Sequence, residues 1–301
     1  MTEEKIRREL KVDLTPLIKK LEIVTRMTVS TEIMGGYRSF FKGVGLEFED
    51  YRLYNQDDDA SKIDWKASLR SDSLLVKQYS EERNLEVFFL VDVSDNMVFG
   101  SIDKLKNEYA AELVASFVHV ILTSGDKAGM ALYANNLVEK ITPSRKKDQF
   151  YAITKALVNP NFYGGSFNFA DAMNFLSKFL KKRSIIFVVS DFLDLDAGWD
   201  APLKMASQKY DLVFVSVRDP RDYEMPEKSY QVVVEDPKTG EQLVVSPAEI
   251  RERYSTYTKQ QEELLKSKLD VLGIDYLFLK TNESFVEPVI AMFRRRKARW
   301  K

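Results

Sequence analysis

The stretch that decides the fold is LEVFFLVDVSDN, residues 85–96. Its first nine residues are almost all apolar, with many β-branched and aromatic side chains, which predicts a strand covered on both faces. Asp92, Ser94 and Asn96 follow at alternate positions where this strand ends. In sheets that carry helices on both faces, ligands gather outside the carboxyl ends of the strands. The stretch therefore predicts an α/β fold with oxygen ligands at one edge of its sheet.

The alternation of strand and helix continues along the rest of the chain. Further strands are predicted at 127–133, 137–141, 184–189, 211–217 and 274–279, and helices at 105–122, 147–158, 169–182, 202–209 and 247–272. This order predicts a doubly wound, mostly parallel sheet over residues 85–301. A turn signal, Asp-Pro-Lys-Thr-Gly, lies between two alternating segments and predicts a β-hairpin insertion at about 229–246.

Residues 1–84 are predicted to form an N-terminal extension of a different character. Apolar residues at helical spacing from Leu14 to Met27 predict a helix that docks on the core. The segment from Gly35 to Asp72 shows no sustained period, and an unstructured loop of that length would be unusual in a compact chain. We expect an irregular, β-rich element packed on the core, with its aromatic rings buried and its carboxylates facing outward.

Composition narrows the possible functions and location. The 301 residues carry a net charge of −1, which gives no reason to expect a nucleic-acid partner. There is no cysteine, as suits the cytoplasm, and the single histidine, His119, falls within a predicted apolar helix. No glycine-rich nucleotide motif and no apolar stretch of membrane-spanning length occurs. We expect a cytoplasmic protein without bound nucleotide or integral membrane segment.

Three separate loops carry candidate metal ligands. Asp92, Ser94 and Asn96 follow one predicted strand, Asp191 follows another, and Ser166 lies in the glycine-containing loop 163–168. Carboxylate, hydroxyl and amide oxygens are the ligands that Mg²⁺ and other hard divalent cations prefer. The alternative is that these residues form turns and helix caps. If the site is real, Asp92 and Asp191 lie within reach of one cation.

Two groups of charged residues, an acidic group at 57–66 and a basic run at 294–301, are candidates for contacts with partners. Asp57, Asp58 and Asp59, followed by Asp64, Trp65 and Lys66, form a candidate partner-binding surface. A solvated acidic loop, or internal ion pairs with Arg52, Lys66 and Arg70, are the alternatives. The basic run at 294–301 is interpreted as a solvated chain end, with contact to anionic lipid or RNA as the alternative.

Several motifs together resemble the domain-of-unknown-function-58 family. They are GLEFEDYRLYN at 45–55, IDWK at 63–66, the DxSxN strand end, VVSDFLD at 188–194 and VEDPKTGE at 234–241. The resemblance implies a von Willebrand factor A-like, Rossmann-like fold whose metal-ion-dependent adhesion site reads DxSxS, then threonine, then aspartate. Here Asn96 replaces the second serine and Phe167 falls at the position of the threonine, so the site is degenerate. The family also implies a MoxR-type AAA ATPase as partner.

The sequence favours a non-catalytic adaptor over an enzyme. In the adaptor hypothesis, the strand ends present Mg²⁺ or another divalent cation, with an open coordination position for an acidic side chain of a protein partner. The alternative is a metal-dependent hydrolase that uses Asp92 and Asp191 around a metal-activated water. No histidine or lysine near these motifs is placed by the sequence as a general base, which disfavours the hydrolase.

Overall fold

The computed structural model of the protein describes residues 18–20, 25, 33–37, 46–55, 58–71, 73–81, 85–181, 184–193, 195, 198–226, 231–235 and 241–299. Most of the helix predicted from Leu14 to Met27 lies outside these residues, as does Asp57 of the candidate partner-binding surface.

Ten strands occur in the described part of the chain. In chain order they are β1 (Leu46–Leu53), β2 (Leu75–Glu81), β3 (Glu86–Asp92), β4 (Lys127–Tyr133), β5 (Leu137–Ser144), β6 (Ile185–Ser190), β7 (Asp211–Arg218), β8 (Val232–Glu235), β9 (Gln242–Val245) and β10 (Asp275–Lys280). Six of them form the central sheet, in the order β10-β7-β6-β3-β4-β5. All neighbouring pairs in it are parallel except β4 and β5, so an antiparallel strand closes one margin.

Helices cover both faces of the central sheet. The described helices are α1 (Trp65–Ser71), α2 (Lys106–Thr123), α3 (Gln149–Leu157), α4 (Phe169–Phe179), α5 (Asp200–Lys209), α6 (Pro247–Val271) and α7 (Val286–Arg299). Buried residues of α2, α3 and α7 share one apolar core, and those of α4, α5 and α6 share the other. The protein is therefore an α/β domain of two cores separated by one sheet, as the alternation of elements predicts.

The sequence of β3 explains why both its faces are buried. Successive side chains of a strand point to opposite faces, so Phe89 and Val91 enter one core while Phe88 and Leu90 enter the other. All four are essentially inaccessible to solvent. Burial of one such side chain contributes roughly 1.5–3 kcal/mol to the free energy of folding. The apolar run thus fixes β3 at the centre of the sheet.

Element boundaries in 85–301 agree with the sequence to within a few residues. The largest differences are in β5, which reaches Ser144 although the sequence predicts an end at residue 141, and in α4, which ends at Phe179 although helical spacing predicts it to reach residue 182. Leu180 adopts an extended backbone with φ −90° and ψ 117°, because its side chain turns into the core. The predicted hairpin is present as the antiparallel pair β8–β9.

The N-terminal extension is more regular than its sequence suggests. Strands β1 and β2 pair antiparallel, and α1 lies between them in the chain. The helical turn at 33–37 is anchored by Ile33 and Tyr37, which belong to the core, and Tyr37 donates to Asp126 at 2.8 Å. The expectation that the aromatic rings are buried holds for Tyr37 and is wrong for Tyr51 and Trp65, which are 37% and 62% exposed.

The C-terminal basic run is partly internal. Arg296 of α7 is buried and forms ion pairs with Asp211 of β7 and, at 2.5 Å, with Asp275 of β10. The interpretation of this run as a solvated end is therefore wrong at Arg296, because two carboxylates at the start of neighbouring strands neutralise it. Among the described residues, no helix combines the length and the apolar character needed to cross a bilayer.

Candidate interaction site at the carboxyl edge of the sheet

Asp92 ends β3, and its carboxylate is buried where the parallel strands stop. Its Oδ1 accepts the backbone N–H of Ser94 at 2.8 Å, and its Oδ2 accepts the hydroxyl of Ser190 at 2.6 Å. Burial, and after it the negative charge of Asp191, raise the pKa of the Asp92 carboxyl to about 7, although the hydrogen bonds from Ser190 and Ser94 lower it. Asp92 and Asp191 therefore act on each other across the same crevice.

Ser94 and Asn96 follow Asp92 in a tight turn. The hydroxyl of Ser94 is buried beside the Asp92 carboxylate, whose pKa it lowers, and it has no other hydrogen-bond partner in the described structure. A buried hydroxyl oxygen with unused acceptor capacity marks a position that a ligand can satisfy. Asn96 lies in the short 3₁₀ turn at Asp95–Met97 and is partly exposed. The motif thus places one buried and one accessible oxygen ligand beside Asp92.

The glycine-containing loop packs directly on this turn. Asp95 and Gly165 bond reciprocally, because Asp95 N–H donates to Gly165 C=O at 2.8 Å and Gly165 N–H donates to the Asp95 carboxylate at 2.9 Å. The backbone N–H of Ser166 donates to the Asn135 side chain at 2.9 Å. Phe167 is buried, edge-on to Phe169 in the core. Ser166 is therefore next to the motif, whereas the Phe167 ring belongs to the fold.

Asp191 is held by a buried lysine that the sequence did not point to. Lys106, near the start of α2, places its Nζ 2.7 Å from Asp191 Oδ2 and 3.1 Å from Asp222 Oδ2. Burial alone would lower the pKa of the ammonium, but the charges of Asp191 and Asp222 and their hydrogen bonds raise it above the ordinary value. Lys106 is therefore held as a cation between the two carboxylates, which disfavours a role as general base.

The sequence did not indicate that Lys106 lies beside these motifs. It is separated from Asp191 by 85 positions in the chain, and a lysine at the start of a helix has the sequence pattern of a surface residue. Ser190 was also missed, although it directly precedes Asp191 in VVSDF. Its position as the last residue of β6, beside the end of β3, was the available signal.

Apolar side chains surround the crevice on its exposed side. We call Val98, Phe99, Ile102 and Leu193 the apolar rim. Each is at least 38% exposed, and Phe99 lies 5.5 Å from Lys106 Nζ. Leu193 is tied to the same cluster, because its N–H donates to Asp191 at 3.1 Å. Exposed apolar groups around buried polar ones are typical of protein interaction sites.

The acidic residues of the candidate partner-binding surface serve local structure first. Asp58 forms a two-pronged ion pair with Arg52, at 2.5 Å for each contact. Asp59 accepts the N–H of Ser61, and Asp64 pairs with Lys77 at 3.0 Å. The alternative of internal ion pairs is therefore correct for Asp58. The expectation that the carboxylates face outward is wrong for Asp58 and Asp64, because each pairs with a basic residue of the N-terminal extension. Trp65 and Lys66 remain exposed.

The donor set fits a divalent cation at one end of the crevice and not at the other. Asp92 and the buried hydroxyl of Ser94 provide hard oxygen ligands, and Asn96 is near them in the chain. Asp191 already has a cation in Lys106. Within the described ranges, no group of three or more histidine, cysteine, aspartate or glutamate side chains could hold a metal ion. Any ion would therefore depend on Asp92 and Ser94.

The fold and this crevice define a doubly wound α/β domain with a polar, apolar-rimmed site where its parallel strands end. The chain belongs to the family described as protein of unknown function DUF58, which matches residues 50–264. An uncharacterised protein of Mycobacterium bovis is 24% identical over 289 residues, covering 94% of this chain and 90% of the relative.

Solved structures with some likeness to the chain include two small domains. The conserved hypothetical protein BatB from Bacteroides thetaiotaomicron is 16% identical, with a TM-score of 0.44, covering 72% of this chain and all of that one. The SpRpn10 VWA domain is 12% identical, with a TM-score of 0.40, covering 69% and 94% of the two chains.

Proposed function

We propose that the protein is a non-catalytic interaction adaptor of the von Willebrand factor A-like type, which binds a protein partner at the carboxyl edge of its sheet. The observation that carries the proposal is the apolar rim around the buried cluster of Asp92, Asp191 and Lys106. A rim of this kind is stabilised by contact with a partner, whereas the buried charges give the contact its specificity.

The partner we propose is a MoxR-type AAA ATPase, as the family resemblance implies. An adaptor for such a ring needs a surface that remains accessible in the folded domain. The apolar rim meets this requirement, because Phe99 and Leu193 are 43% and 44% exposed although they flank buried residues.

A divalent cation is part of the proposal as a ligand of Asp92, Ser94 and Asn96. When bound, such an ion would offer an open coordination position to a carboxylate of the partner. The protein's own residues orient that end of the crevice, since Ser190 and the Ser94 N–H fix the Asp92 carboxylate. Lys106 balances the charge of Asp191 at the other end.

Binding of the purified ATPase to single-residue variants tests the proposal. Phe99→Asp and Leu193→Asp should each weaken the affinity at least about tenfold, because each places a charge where apolar contact is needed. Val271→Asp is the matched control. Val271 is 86% exposed, but it ends α6 shortly before β10 begins, at the opposite edge of the sheet.

Two outcomes would count against the proposal. If Phe99→Asp and Leu193→Asp bind as wild type does, the carboxyl edge is not the docking surface. If a chelator changes the affinity for the ATPase but the two rim substitutions do not, the cation makes the contact and the apolar rim does not. Melting temperatures of all three variants should match wild type, which separates lost binding from lost folding.

A further inference from the structure

A second cavity opens beside the crevice, between the loop after β6 and the long helix α6. Its volume is about 200 Å³, and Phe192, Leu193, Trp199, Tyr257 and Arg218 line it. Small-molecule sites usually measure about 300–1,000 Å³, so this cavity has room for a side chain more than for a cofactor. Phe192 and Leu193 follow Asp191 directly, so the cavity adjoins the proposed docking edge.

Arg218 gives the cavity its chemistry. It ends β7 and is only 7% exposed, yet the one hydrogen bond of its side chain in the described structure is from Nε to the Ser216 hydroxyl, at 3.3 Å. A guanidinium carries five N–H donors in a planar fork. A buried arginine normally pairs with a carboxylate, because an isolated buried charge is costly. No ion pair to Arg218 exists among the described residues.

The carboxylates nearest to Arg218 along the chain already have other partners. Asp219 accepts both the N–H and the hydroxyl of Ser101, at 2.8 and 2.5 Å. Asp222 bonds Lys106 and the N–H of Asp219. Glu262 of α6 is close enough for Arg218 to lower its carboxyl pKa, although burial raises that pKa overall, and the two do not form an ion pair. The guanidinium therefore remains available to an incoming anion.

The other lining residues suit an anion that is attached to an apolar group. Lys268 adds a second positive charge, held over the Trp199 ring at 4.8 Å and paired with the exposed Asp200 at 3.1 Å. Trp199 and Tyr257 provide aromatic surface on the same side. A guanidinium at the base with aromatic walls matches a carboxylate side chain flanked by apolar residues.

We propose that this cavity binds an acidic side chain of a protein partner, with Arg218 as the residue that recognises its carboxylate. The inference extends the proposed function, because it assigns part of the docking contact to a site distinct from Asp92. Its test uses short peptides and no ATPase, so the two proposals can fail separately.

The binding experiment uses two capped peptides, acetyl-Leu-Glu-Leu-amide and its glutamine counterpart, in which glutamate supplies the single carboxylate. Fluorescence of Trp199 reports binding in a protein whose other two tryptophans are replaced, Trp65→Phe and Trp300→Phe. The glutamate peptide should bind at least about tenfold more tightly than the glutamine peptide, because only a carboxylate can pair with the guanidinium. Equal binding of the two peptides would overturn the proposal.

Two pairs of variants locate the contact. Arg218→Met should abolish the preference for glutamate, whereas Arg253→Met, an exposed arginine of α6, should keep it. Gln261→Glu places a carboxylate in the lining itself and should block the peptide while raising the melting temperature. Gln260→Glu, which is exposed outside this cavity, should change neither.

The second pair decides the matter if Arg218→Met does not fold. A Gln261→Glu protein that still prefers the glutamate peptide would show that the carboxylate binds elsewhere. Acetate should bind much more weakly than the glutamate peptide. If acetate displaces the peptide with a similar affinity, the cavity is a site for small anions, and the protein partner is removed from the proposal.

Discussion

Lys106 carries the positive charge between Asp191 and Asp222, and its removal would leave two buried carboxylates without a cation. Lys106→Met should therefore lower the free energy of unfolding by about 3–5 kcal/mol, the range for breaking a buried ion pair. Excess Mg²⁺ should restore part of that loss, since Asp191 would then be open to a metal. Urea denaturation with and without Mg²⁺ measures both effects.

Lys104→Met provides the control at the same end of α2. Its ion pair with Glu112, at 2.6 Å, lies partly in solvent, where such pairs contribute about 0–1 kcal/mol. It should therefore change stability little and give no new response to Mg²⁺. If Lys106→Met is as stable as Lys104→Met, the cluster is not the charge-balancing centre described above.

For single residues, the sequence predicted the place in the fold better than the side chains with which each residue interacts. Asp92 and Asp191 could be placed together, because each directly follows an apolar run and parallel strands end at one edge. Lys106 could not, since the pairing that neutralises it joins residues separated by 85 positions and depends on the fold between them. The same reason hid the ion pairs of Arg296 and the isolation of Arg218.

At the scale of single elements, the loop 163–168 depends on the backbone of Gly165. Its φ of 82° is in the left-handed region, and a Cβ there would lie 2.7 Å from the Asn135 side chain nitrogen. Gly165→Ala should destabilise the protein by the left-handed cost, roughly 1–2 kcal/mol, plus the cost of this contact. Thermal unfolding of the purified variant measures the sum.

Gly125→Ala isolates the contact, because Gly125 has nearly the same φ, 86°, and open space around its Cβ position. Gly165→Ala should therefore be the more destabilising of the two. Equal losses of stability would mean that Asn135 moves freely and does not hold the loop.

The extension of β1, α1 and β2 depends on Asp58 more than on its acidic neighbours. Asp58→Lys replaces the carboxylate that pairs with Arg52 by an ammonium group that repels it. The amide hydrogens of β1 should therefore exchange faster. Asp59→Lys should have a smaller effect, since Asp59 caps a short turn. Hydrogen exchange followed by mass spectrometry compares the two variants. Equal protection of the β1 amide hydrogens in both variants would mean that Asp58 does not stabilise the extension.

The elements that the sequence predicted well were those with a clear apolar run or a clear periodicity of apolar residues. The strand at 127–133 was placed to the residue, because its apolar run is bounded by charged and turn residues. The pairing of β1 with β2 was not foreseen, since its cross-strand partners are far apart in the chain and neither strand alternates cleanly. The exposure of Trp65 shows that an aromatic residue alone does not predict burial.

For the whole molecule, Arg296 joins the last helix to two strands of the sheet. Arg296→Met would remove the buried cation that Asp211 and Asp275 share at the amino edge, so the loss of unfolding free energy should be near the lower end of about 3–5 kcal/mol. Arg295→Met, at an exposed neighbouring position, should be nearly neutral. Calorimetry distinguishes them, and two neutral results would mean that α7 is held by its apolar face alone.

The contact between Tyr37 and Phe293 brings the early and late parts of the chain together, with the two rings edge-to-face at 6.1 Å. During synthesis α7 leaves the ribosome long after the helical turn at 33–37, so the turn cannot make this contact until α7 has been made. The early segment therefore gains part of its final packing only late in synthesis. An incompletely packed segment of this kind is exposed to chaperones and proteases until the contact forms.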